Sequence, residues 1–170
     1  MSKRIMNEVM CTAEENDINI FYQDTDSMHI ENDKIPLLAE AFKKKFGREL
    51  IGKELGQFHN DFDELESNPV SIESYFLGKK AYIDKLSNDN NETAYHYRMK
   101  GVDLKCIELK TNNQFKGDVM ELYKHLFEGH SIKFDLTETK ARFKMNKDRT
   151  VMNIQDFSRC VSFKGNCFED

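Results

Sequence analysis

Asp24 and Asp26, two carboxylates one residue apart, are the residues of this chain best suited to chemistry. Alternate residues of a strand share a face, and a tight turn brings their side chains closer still. Carboxylates held that close repel each other, and a bound cation is the usual compensation. Oxygen donors suit Mg²⁺ or Mn²⁺, which also hold phosphate oxygens. Two such ions can clamp the attacking and leaving oxygens of a phosphoryl transfer. Thr25 and Ser27 supply hydroxyls that can steady the turn, and Tyr22 can pack below it or face a substrate. A bare Asp-x-Asp is an ordinary surface turn in most chains, because Asp is a common turn residue. The full string Tyr22-Gln23-Asp24-Thr25-Asp26-Ser27 is far rarer. The pattern YxDTDS recurs by chance on the order of once in tens of thousands of chains of this size.

The elements around the string suit it. Ile5, Val9 and Met10 fall on one stripe and predict a helix over residues 2–15, closed by Asn16-Asp17. The β-branched and aromatic run of residues 18–22 predicts a strand, Asp24-Thr25 supplies turn chemistry, and residues 27–30 resume an extended pattern. Pro36 sits near the start of a second helix, with Leu37, Leu38, Ala41, Phe42 and Phe46 as its apolar face and Gly47 at its end. The acidic residues 56–67 predict strand and loop. Residues 71–86 predict a hairpin, and residues 95–99 a further strand. After Gly101 the pattern turns helical, first behind Asp103 and again over residues 118–127. Strands are expected over residues 133–136, 141–145 and 150–154. The change of texture sets the expected domain boundary at 98/99. The fold class this predicts is α+β: an antiparallel sheet with helices on one face in residues 1–98, then a small mixed α/β subdomain in 99–170.

Composition limits the function classes. Hydrophobic residues make up 39% of the 170, enough to build a core and to argue against a wholly disordered chain. The net charge of −5 argues mildly against nucleic-acid binding, so any such surface must be a local patch. Lys43, Lys44, Lys45, Arg48 and Lys53 form one basic cluster, which reads best as a solvated face. Lys140, Arg142, Lys144, Lys147 and Arg149 form another, interleaved with Phe143, and suit a duplex-gripping surface as well as a solvated one. The four cysteines form no CxxC pair and read as free thiols in a reducing compartment. No long apolar run follows Lys3 and Arg4, so a soluble, intracellular, non-secreted chain is expected. His29, His59, His96, His125 and His130 are scattered with no HxxxH pair, and none is expected to ligate a metal.

The Tyr22 to Ser27 string resembles the third conserved polymerase motif of family B DNA polymerases, which forms a hairpin on the floor of the palm. The resemblance implies that Asp26 is the direct metal ligand, that Asp24 is the neighbouring essential carboxylate, and that Tyr22 and Thr25 lie in the nucleotide-site neighbourhood. Lys80-Ala81-Tyr82, preceded by Lys79, is similar to the family's KxY motif, whose strand contacts the primer near its 3′ end. Lys80 and Tyr82 are expected on one strand face, a charge and a flat hydrogen-bonding tip suited to a sugar-phosphate backbone. Arg98-Met99-Lys100-Gly101-Val102 looks like the strand end where the family chain leaves the palm for the thumb, which implies that Lys100 lies near the duplex. Arg142 and Lys144 would be thumb contacts. The short interval between the acidic string and KxY looks most like the protein-primed branch of phage, adenovirus and linear-plasmid enzymes.

The implied function is template-directed nucleotidyl transfer with Mg²⁺ or Mn²⁺. The implied partners are primer-template DNA, deoxynucleoside triphosphates and a terminal priming protein, with no membrane. The family's DxxSLYP motif and its Lys-bearing fingers motif, KxxxNSxYG, are not found in these residues. The resemblance therefore implies a C-terminal palm-and-thumb part of a longer polymerase, inactive alone. The alternative is a non-catalytic primer-template binding module.

Overall fold

The computed structural model describes residues 2–163 apart from 138, 140, 141, 146, 151 and 156, and for residues 2, 142–144 and 152–155 it describes the backbone alone. The chain is α+β. Every pairing between its named strands is antiparallel. Two compact units divide it, Met1–Asp63 and Glu64–Asp170.

In the first unit, helix α1 (Ser2–Glu15) buries Ile5, Met6, Val9 and Ala13 on one stripe. Asp17 takes φ +53, and the Ile18 N–H donates to the Ala13 carbonyl at 2.9 Å. Ile18, expected to open the first strand, is therefore a buried seal on the helix end. Strand β1 (Ile20–Gln23) follows and pairs with β2 (Met28–Ile30), with Tyr22 opposite His29 and Gln23 opposite Met28. A 3₁₀ turn (Asn32–Lys34) leads into α2 (Ile35–Phe46), which has Pro36 in its first turn. Gly47, at φ +66, ends α2 by donating its N–H to the Lys43 carbonyl at 2.8 Å. Leu38 and Phe42 are buried, whereas Leu37, expected on the same face, is 45% exposed. Ile5, Val9, Ala13, Ile18, Leu38, Phe42 and Leu50 form this unit's core. No named strand forms in the acidic stretch 56–67, where only Phe58 bridges to Ile51. Asp61, Asp63, Glu64 and Glu66 crowd like charge into a segment of poor strand formers.

In the second unit, β3 (Val70–Gly78), β4 (Ala81–Ser87) and β5 (Thr93–Met99) make a three-stranded sheet in that order. Helix α3 (Leu104–Gln114) has Asp103 at its N-cap position, but the Asp103 side chain makes no capping hydrogen bond. In α4 (Val119–Phe127) the Asp118 carboxylate does accept from the Met120 N–H, at 3.0 Å. Strand β6 (Ser131–Asp135) pairs with β9 (Ser158–Ser162), and β7 (Arg142–Met145) with β8 (Met152–Gln155).

One core runs through this unit: Ile83 of β4, Met99 of β5, Cys106 and Ile107 of α3, Leu122, Tyr123 and Leu126 of α4, and Ile132 and Phe134 of β6. Burial pushes the Tyr123 hydroxyl pKa far above its ordinary value, and that hydroxyl donates to the Arg98 carbonyl at 2.8 Å. The compact units thus do not follow the 98/99 boundary expected from sequence texture. Strands β4 and β5 share their core with α3, α4 and β6, so a cut there would pass through packed side chains. Among the described residues, no helix is long and apolar enough to cross a membrane.

Candidate functional site

The first feature is the acidic turn of the first unit. Strand β1 ends at Gln23 and β2 begins at Met28, so residues 24–27 are the connection, closed by the Asp24 N–H donating to the Ser27 carbonyl at 3.0 Å. Asp24 and Asp26 are therefore turn residues and not partners on a strand face, as alternation alone would place them. Asp24 is half-buried, and its Oδ1 accepts from the Thr25 N–H at 2.8 Å and the Thr25 hydroxyl at 3.3 Å. Thr25 thus fixes one oxygen of Asp24, as a turn-steadying residue should. Asp26 is exposed. Tyr22 packs its ring edge-on against His29 across the hairpin, with centroids 5.4 Å apart, and Phe62 meets His29 from another side at 6.2 Å. Two carboxylates at a turn tip are a donor set that fits a hard divalent ion. Among the described residues, no third His, Cys, Asp or Glu joins them in a three-donor group.

The second feature is the basic end of the three-stranded sheet. Lys79 and Lys80 form the turn between β3 and β4, and both are exposed. Lys80 takes φ +58 and lies outside β4, which corrects the expectation that Lys80 and Tyr82 share a strand face. The two-residue turn between Gly78 and Ala81 requires a reversal of backbone direction, and Lys80 supplies it. Its carbonyl accepts from the Lys100 N–H at 2.7 Å. That bond ties the turn to the end of β5 and puts Lys79, Lys80 and Lys100 at one end of the sheet. Arg159 of β9 joins them, because its guanidinium lies over Gly101 so closely that an added Cβ would stand 1.8 Å from Nη1. Arg159 was not singled out in the sequence; it lies 58 residues beyond Gly101, and only the β6–β9 pairing brings it back. The expected thumb contacts Arg142 and Lys144 lie in β7, and their side chains fall outside the described residues.

The third feature is a polar row within the same sheet. Tyr82 and Asp84 alternate along β4, and His96 of β5 is the direct partner of Asp84. His96 is 5% exposed, and its Nδ1 lies 2.5 Å from Glu64 Oε1. The other ring nitrogen, Nε2, lies 3.3 Å from the Tyr82 hydroxyl, so the imidazole bridges Glu64 and Tyr82. Asp84 is fully buried, and its Oδ1 accepts from the Ser71 hydroxyl at 2.9 Å and the Ser74 hydroxyl at 2.5 Å. Tyr82 is thus held by a hydrogen-bonded chain that runs back to Glu64. His96 and Glu64 give no local signal in the sequence, since 32 residues separate them and Glu64 sits in an acidic run that reads as loop.

No family model, curated protein or solved structure matches this chain. The functional case rests on the acidic turn, the basic end and the polar row that holds Tyr82.

Proposed function

We propose that this chain is the palm-and-thumb part of a family B DNA polymerase of the protein-primed kind, acting inside the cell as part of a longer protein. The carrying observation is the Asp24-Thr25-Asp26 turn at the tip of an antiparallel hairpin, embedded in the Tyr22 to Ser27 string. Asp26 and Asp24 would hold Mg²⁺ or Mn²⁺, which supplies charge stabilisation for phosphoryl transfer from a deoxynucleoside triphosphate. Exposed Asp26 is the direct ligand, while Asp24, fixed by Thr25, sets the shape of the turn and adds negative charge beside it. Lys79, Lys80, Lys100 and Arg159 would offer a local phosphate-binding surface on a chain of net charge −5. The ring of Tyr82, anchored through His96, would meet the primer sugar-phosphate. The reaction needs a further acidic ligand and a triphosphate-gripping Lys from the rest of the polymerase, so the chain alone does not extend a primer.

A non-catalytic primer-template binding module is the second reading, favoured by the acidic turn lacking a third donor among the described residues. Two measurements on the intact chain separate the readings. Mn²⁺ added to ¹⁵N-labelled protein should broaden the amides of Thr25, Asp26 and Ser27, and Asp24→Asn/Asp26→Asn should abolish that local effect. Anisotropy on a labelled primer-template should show salt-dependent binding that weakens in Lys79→Glu/Lys80→Glu/Lys100→Glu. DNA binding without the Mn²⁺ effect selects the module. Neither effect leaves a plain structural domain, and Mg²⁺-dependent extension by the chain alone that vanishes in Asp26→Ala would overturn its proposed inactivity.

A further inference from the structure

The second unit carries a group of donors of a different chemical kind. Helix α4 ends at Phe127, and the Glu128 N–H still donates to the Lys124 carbonyl at 2.9 Å. Gly129, at φ +96, then reverses the chain, and its N–H donates to the Leu126 carbonyl at 3.0 Å. The His130 N–H reaches back to the His125 carbonyl at 3.3 Å. This closure lays the His130 ring on the His125 ring, with centroids 4.2 Å apart and planes 17° apart. Phe115 supports His125 edge-on, at 5.5 Å. One ligand atom from each of His125, Glu128 and His130 lies within 4.8 Å of the others. A run of i, i+3 and i+5 is not a helical ligand spacing. It becomes a cluster only because the left-handed Gly129 breaks the helical register.

Three physical features favour a cation there. The last carbonyls of α4 carry the negative end of the helix dipole. Glu128 adds a carboxylate. The two stacked imidazoles present ring nitrogens, which are common ligands of divalent transition metals. Imidazole nitrogens with a carboxylate suit Zn²⁺, Cu²⁺, Ni²⁺ or Co²⁺ and discriminate against Mg²⁺ and Ca²⁺, which take oxygen donors.

We propose that His125, Glu128 and His130 form a binding site for a divalent transition-metal ion, with Zn²⁺ as its type. Bonds of about 2.0–2.2 Å in a tetrahedron require the donors to close to ~3.3 Å of one another. Glu128 and His130 are exposed and can rotate to make that closure, while His125 is held by Phe115. Three protein ligands leave one tetrahedral position for water or for a group from another molecule. The site is separate in kind from the acidic turn, whose donors are all oxygen.

The test is calorimetric titration of ZnCl₂ into the chelator-treated chain in a thiol-depleted background. Cys11 and Cys160 are exposed free thiols, so both are changed to Ser, together with Cys167, which lies outside the described residues. The expected result is one Zn²⁺ per chain, undisturbed by excess Mg²⁺ and by Asp24→Asn/Asp26→Asn. His125→Ala/His130→Ala should weaken binding by ~10–100-fold or more, since even partners outside the ligand shell carry that much. Far-UV circular dichroism checks that this variant is folded, and Glu128→Gln, which leaves both rings in place, should weaken binding by itself. Co²⁺ should give the visible bands of a nitrogen- and oxygen-ligated tetrahedral ion without thiolate charge transfer. Zn²⁺ binding that survives the double histidine change, or that disappears with the thiols, would overturn the proposal, as would no detectable binding at all.

Discussion

Arg159 and Gly101 show how one missing side chain can seat a charge. At φ +83 any L residue is strained at position 101, and a Cβ there would also push the guanidinium aside. Gly47 is a matched control, because its φ is +66 and nothing stands near its would-be Cβ. Gly47→Ala should therefore cost only backbone strain, ~1 kcal/mol. Gly101→Ala should cost that and, on the proposed reading, also weaken primer-template binding. Equal melting shifts with unchanged DNA affinity would show that the seat of Arg159 does nothing. The His96 pair gives a second prediction at this scale. Glu64→Gln removes the charged acceptor of a buried imidazole and should destabilise the protein by ~1–3 kcal/mol, measurable by chemical denaturation. Asp24 and Asp26 stand out in the sequence by type and spacing, and Tyr22, Lys80 and Tyr82 by resemblance, but the left-handed turn position of Lys80 was not readable there. His96, Glu64 and Arg159 do not stand out, because each depends on a partner supplied by tertiary folding.

Among the elements, the two ends of α2 were legible, since Pro36 and Gly47 act through local backbone geometry, whereas Asp103, expected to cap α3, makes no capping hydrogen bond. Strand β9 escaped notice: only its register with β6 defines it, and Ser158, Arg159 and Cys160 show little strand character. The packing of α1 in the first unit adds a pH prediction. Glu8 of α1 is mostly covered, pairs with Arg4 one helical turn away at 2.8 Å, and also meets Arg48. The hydrogen bond from Arg4, opposed by burial and aided by Arg48, holds the Glu8 carboxyl below its ordinary value. A depressed folded pKa contributes stability above the unfolded value, and that contribution is lost as pH falls through the folded one. Thermal melts of the native chain and Glu8→Gln should therefore differ most near neutral pH and converge as the medium is taken to pH ~3. A difference that stayed constant over that range would show that the ion pairs contribute nothing.

For the whole molecule, the decisive feature is that the core of the second unit is shared between the sheet and the segment that follows it. Ile107 and Leu122 are fully buried, and either change to Ala should cost ~2–5 kcal/mol. By the same reasoning, residues 64–163 made alone should unfold cooperatively, whereas residues 99–163 should not, because Ile83 and the Tyr95 and Tyr97 rings packed on the core would be missing. Circular dichroism melts of the two pieces check this, and cooperative unfolding of the shorter piece would contradict the shared core. The sequence alone did not reveal this division, because texture changes where secondary structure changes and not where packing ends. The acidic average also concealed the basic end of the sheet, which exists only through chain reversal. Finally, a Lys at φ +58 is a poor choice for stability, since Gly adopts that conformation at little cost. Lys80→Gly should raise the melting temperature while, on the proposed reading, weakening the grip on DNA. A redesign guided by thermostability alone would exchange this residue for Gly, and on the proposed reading a screen for DNA binding would put it back.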